Sequence, residues 1–321
     1  MNVVLLAGGT GGAKLAHGFA QVIAESRGGE GASDDALTVI VNVADDVELH
    51  GLHISPDVDA VLYTLAGLID ENRGWGLRGD TSTALAMLER LGAPTWFHIG
   101  DGDLATHVER TRRLHAGESL TDVTAAMATA LSIGTRVRIL PATDDRLRTI
   151  VETDDGPLDF QTYFVARRQE PTVRGLRLDG IESARPSTAV LEALATAELI
   201  VIGPSNPLVS IEPILALAGI RDAIEEASAP RVAVSPIVAG RALKGPADRM
   251  LTSLGHEVSA LGVARIYRGL VDRFAIDEAD AVLAPAIGAL GMEVTILPTV
   301  MRTHADRAEL ARALCRGILR R

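Results

Sequence analysis

Cysteine is almost missing from this chain: its 321 residues include one, Cys315, so no intrachain disulfide can form and no zinc site can be built from thiols. Cys315 lies in an Ala/Leu/Arg-rich stretch with helical patterning and reads as a packed thiol rather than a nucleophile. Aromatic residues are scarce at 3%, poor material for a base-stacking platform. Positive charge is in deficit, with 31 Lys+Arg against 42 Asp+Glu and a formal net charge of −11. That balance excludes a broad phosphate-binding surface, and with it nucleic acid as the main partner. It leaves open an anionic small molecule held by backbone amides in one cleft. No apolar run reaches the roughly 18 residues needed to span a bilayer. The opening Met-Asn-Val-Val-Leu-Leu-Ala-Gly-Gly offers no basic region and too short an apolar stretch for a signal peptide. A soluble, cytoplasmic protein without a membrane partner is the expectation. What the chain has in quantity is aliphatic bulk, 47% hydrophobic residues, enough for a substantial globular core.

Apolar runs alternate with helical patterns. Val3–Ala7 leads into Gly8-Gly9-Thr10-Gly11-Gly12, and Ala13–Ser26 follows with Leu15, Phe19, Val22 and Ile23 at helical spacing. Gly28–Ser33 reads as a turn and Leu37–Val43 as a second buried strand. Strand, glycine turn, helix and strand in succession make a βαβ unit and predict a parallel sheet. The pattern returns at Glu198–Ile202 and Arg231–Val234, with a helix at Ala247–Leu254, and His256–Leu261, Ala281–Leu283 and Met292–Leu297 continue it. Residues 105–195 look more helical, with Arg136–Leu140 and Asp159–Tyr163 as possible strands. The prediction is a single α/β domain over 1–321. Its core is a Rossmann-like, doubly wound, mostly parallel sheet (about 1–104 and 196–321), and a mainly helical insertion covers about 105–195.

The glycine turn sits where a strand enters a helix, a place suited to phosphate because glycine lets the ligand approach backbone N–H groups at a helix N-terminus. It is neither of two familiar phosphate loops. The dinucleotide fingerprint needs a third glycine where Lys14 stands, and the P-loop needs a Gly-Lys-Ser/Thr order that is missing. A generic phosphate-binding turn remains, involving Gly9, Thr10, Gly11, Gly12 and Lys14. Asp45-Asp46 directly follows the second strand, and Ser55-Pro56-Asp57-Val58-Asp59 opens a helix soon after. Carboxylates from adjacent loops at strand carboxyl ends suit magnesium shared with substrate phosphates. Helix capping by Asp57 and plain solvation of Asp45 and Asp46 are the competing explanations. Asp101 and Asp103 precede a helix on which His107 lies four residues beyond Asp103 and Arg110 a turn further. His50 and His53 lack a third ligand at metal spacing. Gly203-Pro204-Ser205-Asn206-Pro207 ends a strand with a rigid turn whose Ser205 and Asn206 offer donors, and Ser235-Pro236 ends the next. No Gly-x-Ser-x-Gly or His-Glu-x-x-His motif occurs.

Together these residues resemble the 2-phospho-L-lactate transferase family of coenzyme F-420 biosynthesis. The markers are Ala7–Leu15, Val41-Asn42 with Asp45-Asp46, Ile54–Asp59, Asp101–His107, Leu140–Asp145, Ile202–Pro207, and Val234–Ile237 with Gly240–Gly245. The resemblance implies a homodimer and a magnesium-dependent site with Asp45 and Asp57 as metal ligands. It also implies Asp59 as a contact to the deazaflavin acceptor Fo, and Ser205 and Asn206 as a nucleotide-side loop. One departure is Gly102, where relatives commonly carry arginine.

The implied reaction moves a phosphorylated three-carbon acid from a guanosine-diphosphate-linked donor to the terminal hydroxyl of Fo, with GMP leaving in line. Asp45, Asp57 and Asp59 would be catalytic. Gly9–Gly12, Lys14, Asp46, Asp101, Asp103, His107, Ser205, Asn206 and Ser235 would bind substrate. Whether the acid is phospholactate, phosphoenolpyruvate or phosphoglycerate cannot be read from any residue. Two other readings stand beside it. A nucleotide-sugar-binding regulatory protein of the same fold would not need the carboxylate cluster, and a nicotinamide-dependent dehydrogenase would need the glycine fingerprint that fails.

Overall fold

The computed structural model describes residues 1–25 and 35–316; the expected turn at Gly28–Ser33 lies outside them. The N-terminal βαβ unit consists of β1 (Asn2–Ala7), α1 (Gly9–Glu25) and β2 (Ala36–Val41). Val3–Ala7 is buried residue after residue, as a central strand covered on both faces must be. A hairpin follows, β3 (Val47–Leu49) and β4 (Leu52–Ile54). Its turn is His50-Gly51, with φ of 54° and 73°, the doubly positive backbone of a tight hairpin turn. Then come α2 (Pro56–Leu65), α3 (Thr83–Arg90), α4 (Asp101–His115), α5 (Leu120–Ala130) and β5 (Val137–Pro141). β6 (Arg148–Thr153), β7 (Gly156–Asp159) and β8 (Val173–Asp179) make a separate antiparallel sheet in the order β7-β6-β8.

The second half runs through α6 (Thr188–Ala195), β9 (Leu199–Ile202), α7 (Glu212–Leu215), α8 (Ile220–Glu226) and β10 (Arg231–Val234). It continues with the short pair β11 (Ile237–Val238) and β12 (Arg241–Ala242), then α9 (Ala247–Ser253), α10 (Ala260–Ile266) and β13 (Arg273–Asp277). It ends with α11 (Ala284–Gly288), β14 (Glu293–Leu297) and α12 (His304–Arg316).

The seven-stranded sheet has the order β14-β13-β10-β9-β1-β2-β5, and every pairing in it is parallel. Alternation along β1 feeds two cores. Val3, Leu5 and Ala7 pack with α1, α2, α5 and α12, while Val4 and Leu6 pack with α6, α8 and α10. This is the doubly wound α/β sheet expected. From β1 the chain winds outward to β2 and β5, then returns to β9 on the other side. The β1/β9 boundary is therefore a topological switch point, and the crevice beyond its carboxyl ends is where ligands bind in such sheets.

The details depart from expectation in three places. Gly9–Gly12 form the first turn of α1 rather than a loop before it. His256–Leu261 and Ala281–Leu283 are not strands. The first is a turn entering α10 and the second is 3-10 helix, whereas the strand in this region is β13. Within 105–195, strands take over between α5 and α6, apart from a helical turn at Thr162–Ala166. β5 joins the central sheet beside β2, and β6–β8 form a sheet of their own.

Candidate active site

A cavity of about 530 Å³ opens at the switch point, lined by the end of β1, the start of α2 and the loop after β9. Gly8–Gly11, Asp45, Asp57, Asp59, Pro204, Ser205 and Asn206 all reach it. The glycines serve close approach as well as access. A Cβ on Gly11 would lie 2.2 Å from the Pro204 carbonyl oxygen, so no other residue lets the β1 and β9 turns meet this tightly. Ser205 Oγ accepts from Gly8 N–H at 3.1 Å and donates to the Gly8 carbonyl at 2.8 Å, tying the turns together.

Asp57 stands in the first turn of α2 and accepts from Gly9 N–H at 2.7 Å and from Asn42 Nδ2 at 3.0 Å. Asn42, the last residue before the β2 loop bends away, is itself pinned by the Val209 carbonyl and by Ala44 N–H. Burial pushes the Asp57 carboxyl up to about 6 despite those donors. Asp45 is driven well above the usual carboxylate range, first by burial and then by Asp57. Asp45 Oδ1 is buried without a hydrogen-bond partner among the described residues. Two buried carboxylates, both raised by burial and one raised further by the other, with an orphaned oxygen on Asp45, fit a hard divalent cation, which takes oxygen donors and would relieve the repulsion.

A second buried cluster forms the floor. Arg110, fully buried, grips both oxygens of Asp59, and its Nη1 lies 3.3 Å from His107 Nδ1. Burial alone would lower the guanidinium, yet Asp59 raises it above its ordinary value. Asp103 accepts from Tyr63 Oη at 2.7 Å. Asp59, Asp103 and His107 each present one ligand atom within 4.8 Å of the others, a spacing that could hold a metal ion. Arg110 already pairs with Asp59 there.

Of the residues singled out in the sequence, Gly9, Thr10, Gly11, Asp45, Asp57, Asp59, Asp103, His107, Ser205 and Asn206 share this cavity. The others point elsewhere. Gly12 packs against Ala7 and Ser205. Lys14 Nζ donates to the Met301 carbonyl at 3.1 Å. Asp46 accepts from Ser55 Oγ and contacts His53 Nε2, bracing the β3–β4 hairpin. Asp101 caps α3 through Thr83 and Ala84 N–H, while Asp80 caps α4 through Gly102 and Asp103 N–H. Ser235 closes a turn on Ile237.

Sequence reasoning missed the walls. The chain has five Phe, three Tyr and two Trp, and six of these aromatics line the cavity: Tyr63, Trp75, Trp96, Phe97, Phe160 and Phe164. Phe160 and Phe164 stack at 5.6 Å and 11°. Trp75, Trp96, Phe97 and His98 come from the connection between α2 and α4, whose helix α3 buries none of its residues. The signal was available in the run Trp96-Phe97-His98, conspicuous in a chain so short of rings.

This geometry has relatives. The family model described as 2-phospho-L-lactate transferase CofD matches residues 3–288. The chain belongs to the CofD family. A phosphoenolpyruvate transferase of Streptomyces griseus is 42% identical over 97% of this chain and 96% of its own length. A 2-phospho-L-lactate transferase of Methanosarcina mazei is 38% identical over 96% of this chain and 98% of its own. Among solved structures, protein BH3568 of Bacillus halodurans superposes with a TM-score of 0.61 at 21% identity, covering 98% of both chains, a likeness of fold. The CofD membership makes this chain a transferase of phosphorylated acids in F-420 biosynthesis. Among its described residues no helix is long and apolar enough to cross a membrane.

Proposed function

We propose that the chain transfers a phosphoenolpyruvate or 2-phospho-L-lactate group from a guanosine-diphosphate-linked donor to the hydroxyl of Fo, releasing GMP. The observation that carries the reading is the Asp45–Asp57 pair, both buried and both raised above the usual carboxylate value, at the rim of the glycine turn in a cavity with aromatic walls. A pure binding protein has no use for two repelling buried carboxylates, whereas phosphoryl transfer depends on alignment and charge neutralisation.

The acceptor oxygen forms a bond to the phosphorus that carries the three-carbon acid, the bond from that phosphorus to GMP breaks, and the hydroxyl proton departs. Asp57, in the first turn of α2 at the cavity, would be the group to receive that proton. Asp59, held on both oxygens by Arg110, orients rather than accepts. Gly9–Gly11 and the Ser205-Asn206 turn flank the donor phosphates, with the helix dipole of α1 behind them. Magnesium, held by Asp45 and Asp57, would supply positive charge to the phosphoryl oxygens. The flat deazaflavin and the guanine base suit the two aromatic walls, one from the α2–α4 connection and one at Phe160 and Phe164.

The test is direct: Fo, magnesium and each guanosine-diphosphate-linked acid are combined and products identified by mass. An Fo adduct with GMP release is expected. Asp45→Asn and Asp57→Asn should each lower turnover by at least about a hundredfold while the far-ultraviolet spectrum stays unchanged. Absence of any Fo adduct with every donor overturns the reading.

A further inference from the structure

The Asp59 floor contains more order than holding one acid requires. His107 and Asp103 lie one turn apart on α4, both buried, both lining the cavity. Arg110 is a permanent donor and its Nη1 faces His107 Nδ1 at 3.3 Å. The lone pair of Nδ1 therefore meets the guanidinium, a contact that leaves the ring hydrogen on Nε2. That Nε2 lies 3.5 Å from Asp103 Oδ1, a long contact, and has no closer hydrogen-bond partner among the described residues. Asp103 in turn is fixed by Tyr63 Oη. A donor and an acceptor thus stand side by side, each oriented from behind, in a cavity that Tyr63 and the aromatic run Trp96–His98 also line.

Such a pair matches one functional group well. A hydroxyl accepts from the imidazole N–H and donates to the carboxylate at the same time. A carbonyl offers no hydrogen to Asp103, and a methylene strands both groups without partners, which costs far more than a lost contact at a solvated site. Asp57 and Asp59 share the first turn of α2, and both line the same cavity as His107 and Asp103. We propose that His107 and Asp103 together recognise a secondary hydroxyl in a polyol chain of the acceptor, making them specificity-determining residues for a polyhydroxylated alcohol. Arg110 and Tyr63 are positioning residues that fix the tautomer of one and the orientation of the other.

The proposal rests on the reading of the acceptor as Fo, and its test separates the two. Binding is measured by calorimetry with Fo and with an N10-methyl analogue that keeps the ring but lacks the polyol. Wild-type protein is expected to prefer Fo. His107→Phe and Asp103→Asn should weaken Fo on the order of ten- to hundredfold and leave the analogue unchanged. His107→Gln, which keeps a donor near the Nε2 position, should recover most of the loss. In turnover, KM for Fo should rise while KM for the donor holds. Equal weakening of Fo and the analogue overturns the proposal, because it assigns the pair a structural role. Fo binding abolished by EDTA in wild type but unaffected by it in His107→Phe overturns it in favour of a metal ion at Asp59, Asp103 and His107. Failure of wild type to bind either compound overturns the acceptor reading itself.

Discussion

At the residue scale, burial governs the carboxylates. The ordinary value for Asp57 is 3.8 and its folded value about 6, so without a cation the native state keeps a proton that the unfolded chain releases. Native stability from this group is greatest below about pH 4 and is lost as pH climbs through about 6, a change on the order of 2–3 kcal/mol. Asp45 is shifted in the same direction and adds to the slope. Denaturant titrations of chelated protein from pH 4 to 8 should show this fall, with Asp57→Asn flattening it and added magnesium opposing it for wild type. Parallel profiles for variant and wild type would mean that the burial of Asp57 is not felt as a charge. Asp45 and Asp57 could be found in sequence because each directly follows a readable boundary, a strand end and a Pro-initiated helix. Asp46 and Asp101 have the same residue type and spacing, but their side chains turn to Ser55 and to the α3 amides. That choice depends on where Ser55, His53 and Asp80 end up in space, which local sequence does not encode. Lys14 was lost for a similar reason, since Met301 lies 287 positions away.

At the element scale, the best-defined strands were those with uninterrupted aliphatic runs. β1, β2, β9 and β10 are central and buried on both faces, so hydrophobicity alone announces them. β13 hides because its apolar Phe-Ala-Ile is bracketed by Arg273 and Asp277, whose charges are spent on strand ends: Asp277 binds Thr299 N–H and Oγ1. α1 packs backbone to backbone against α12 at Gly18, where a Cβ would lie 2.1 Å from the Arg307 carbonyl oxygen. That oxygen belongs to a helix backbone and cannot swing away. Gly18→Ala should therefore destabilise the protein by about 1–3 kcal/mol, despite the higher helix propensity of alanine. Gly134→Ala, where the added carbon meets nothing within 4 Å, is the control and should stay within about 0.5 kcal/mol of wild type. Equal chemical-denaturation midpoints for the two variants would refute the argument from close packing.

At the scale of the whole molecule, the central sheet crosses the sequence boundaries that composition suggests. β5 lies in the stretch that reads as an insertion, yet pairs with β2 along Leu37–Val41. Its pairing ties the region around 137–141 to the first βαβ unit, and α5 packs into the same core as α1 and α12. Scanning calorimetry should consequently give one cooperative transition with calorimetric and van't Hoff enthalpies in agreement. A resolved early transition attributable to residues 105–195 would show that the region folds as its own unit. The formal charge of −11 likewise changes meaning at this scale. Its global sign keeps polyanions off the surface, while the buried pair at the switch point gathers two of the negative charges where a cation would invert the local field.

The distribution of rings has a consequence in optics. Both tryptophans of the chain, Trp75 and Trp96, line the same cavity. All indole emission from this protein therefore originates within reach of whatever occupies that space, with no distant tryptophan to dilute the signal. A planar chromophore seated against them would quench or accept that emission as it binds, and each turnover would be written in the intrinsic fluorescence without a label.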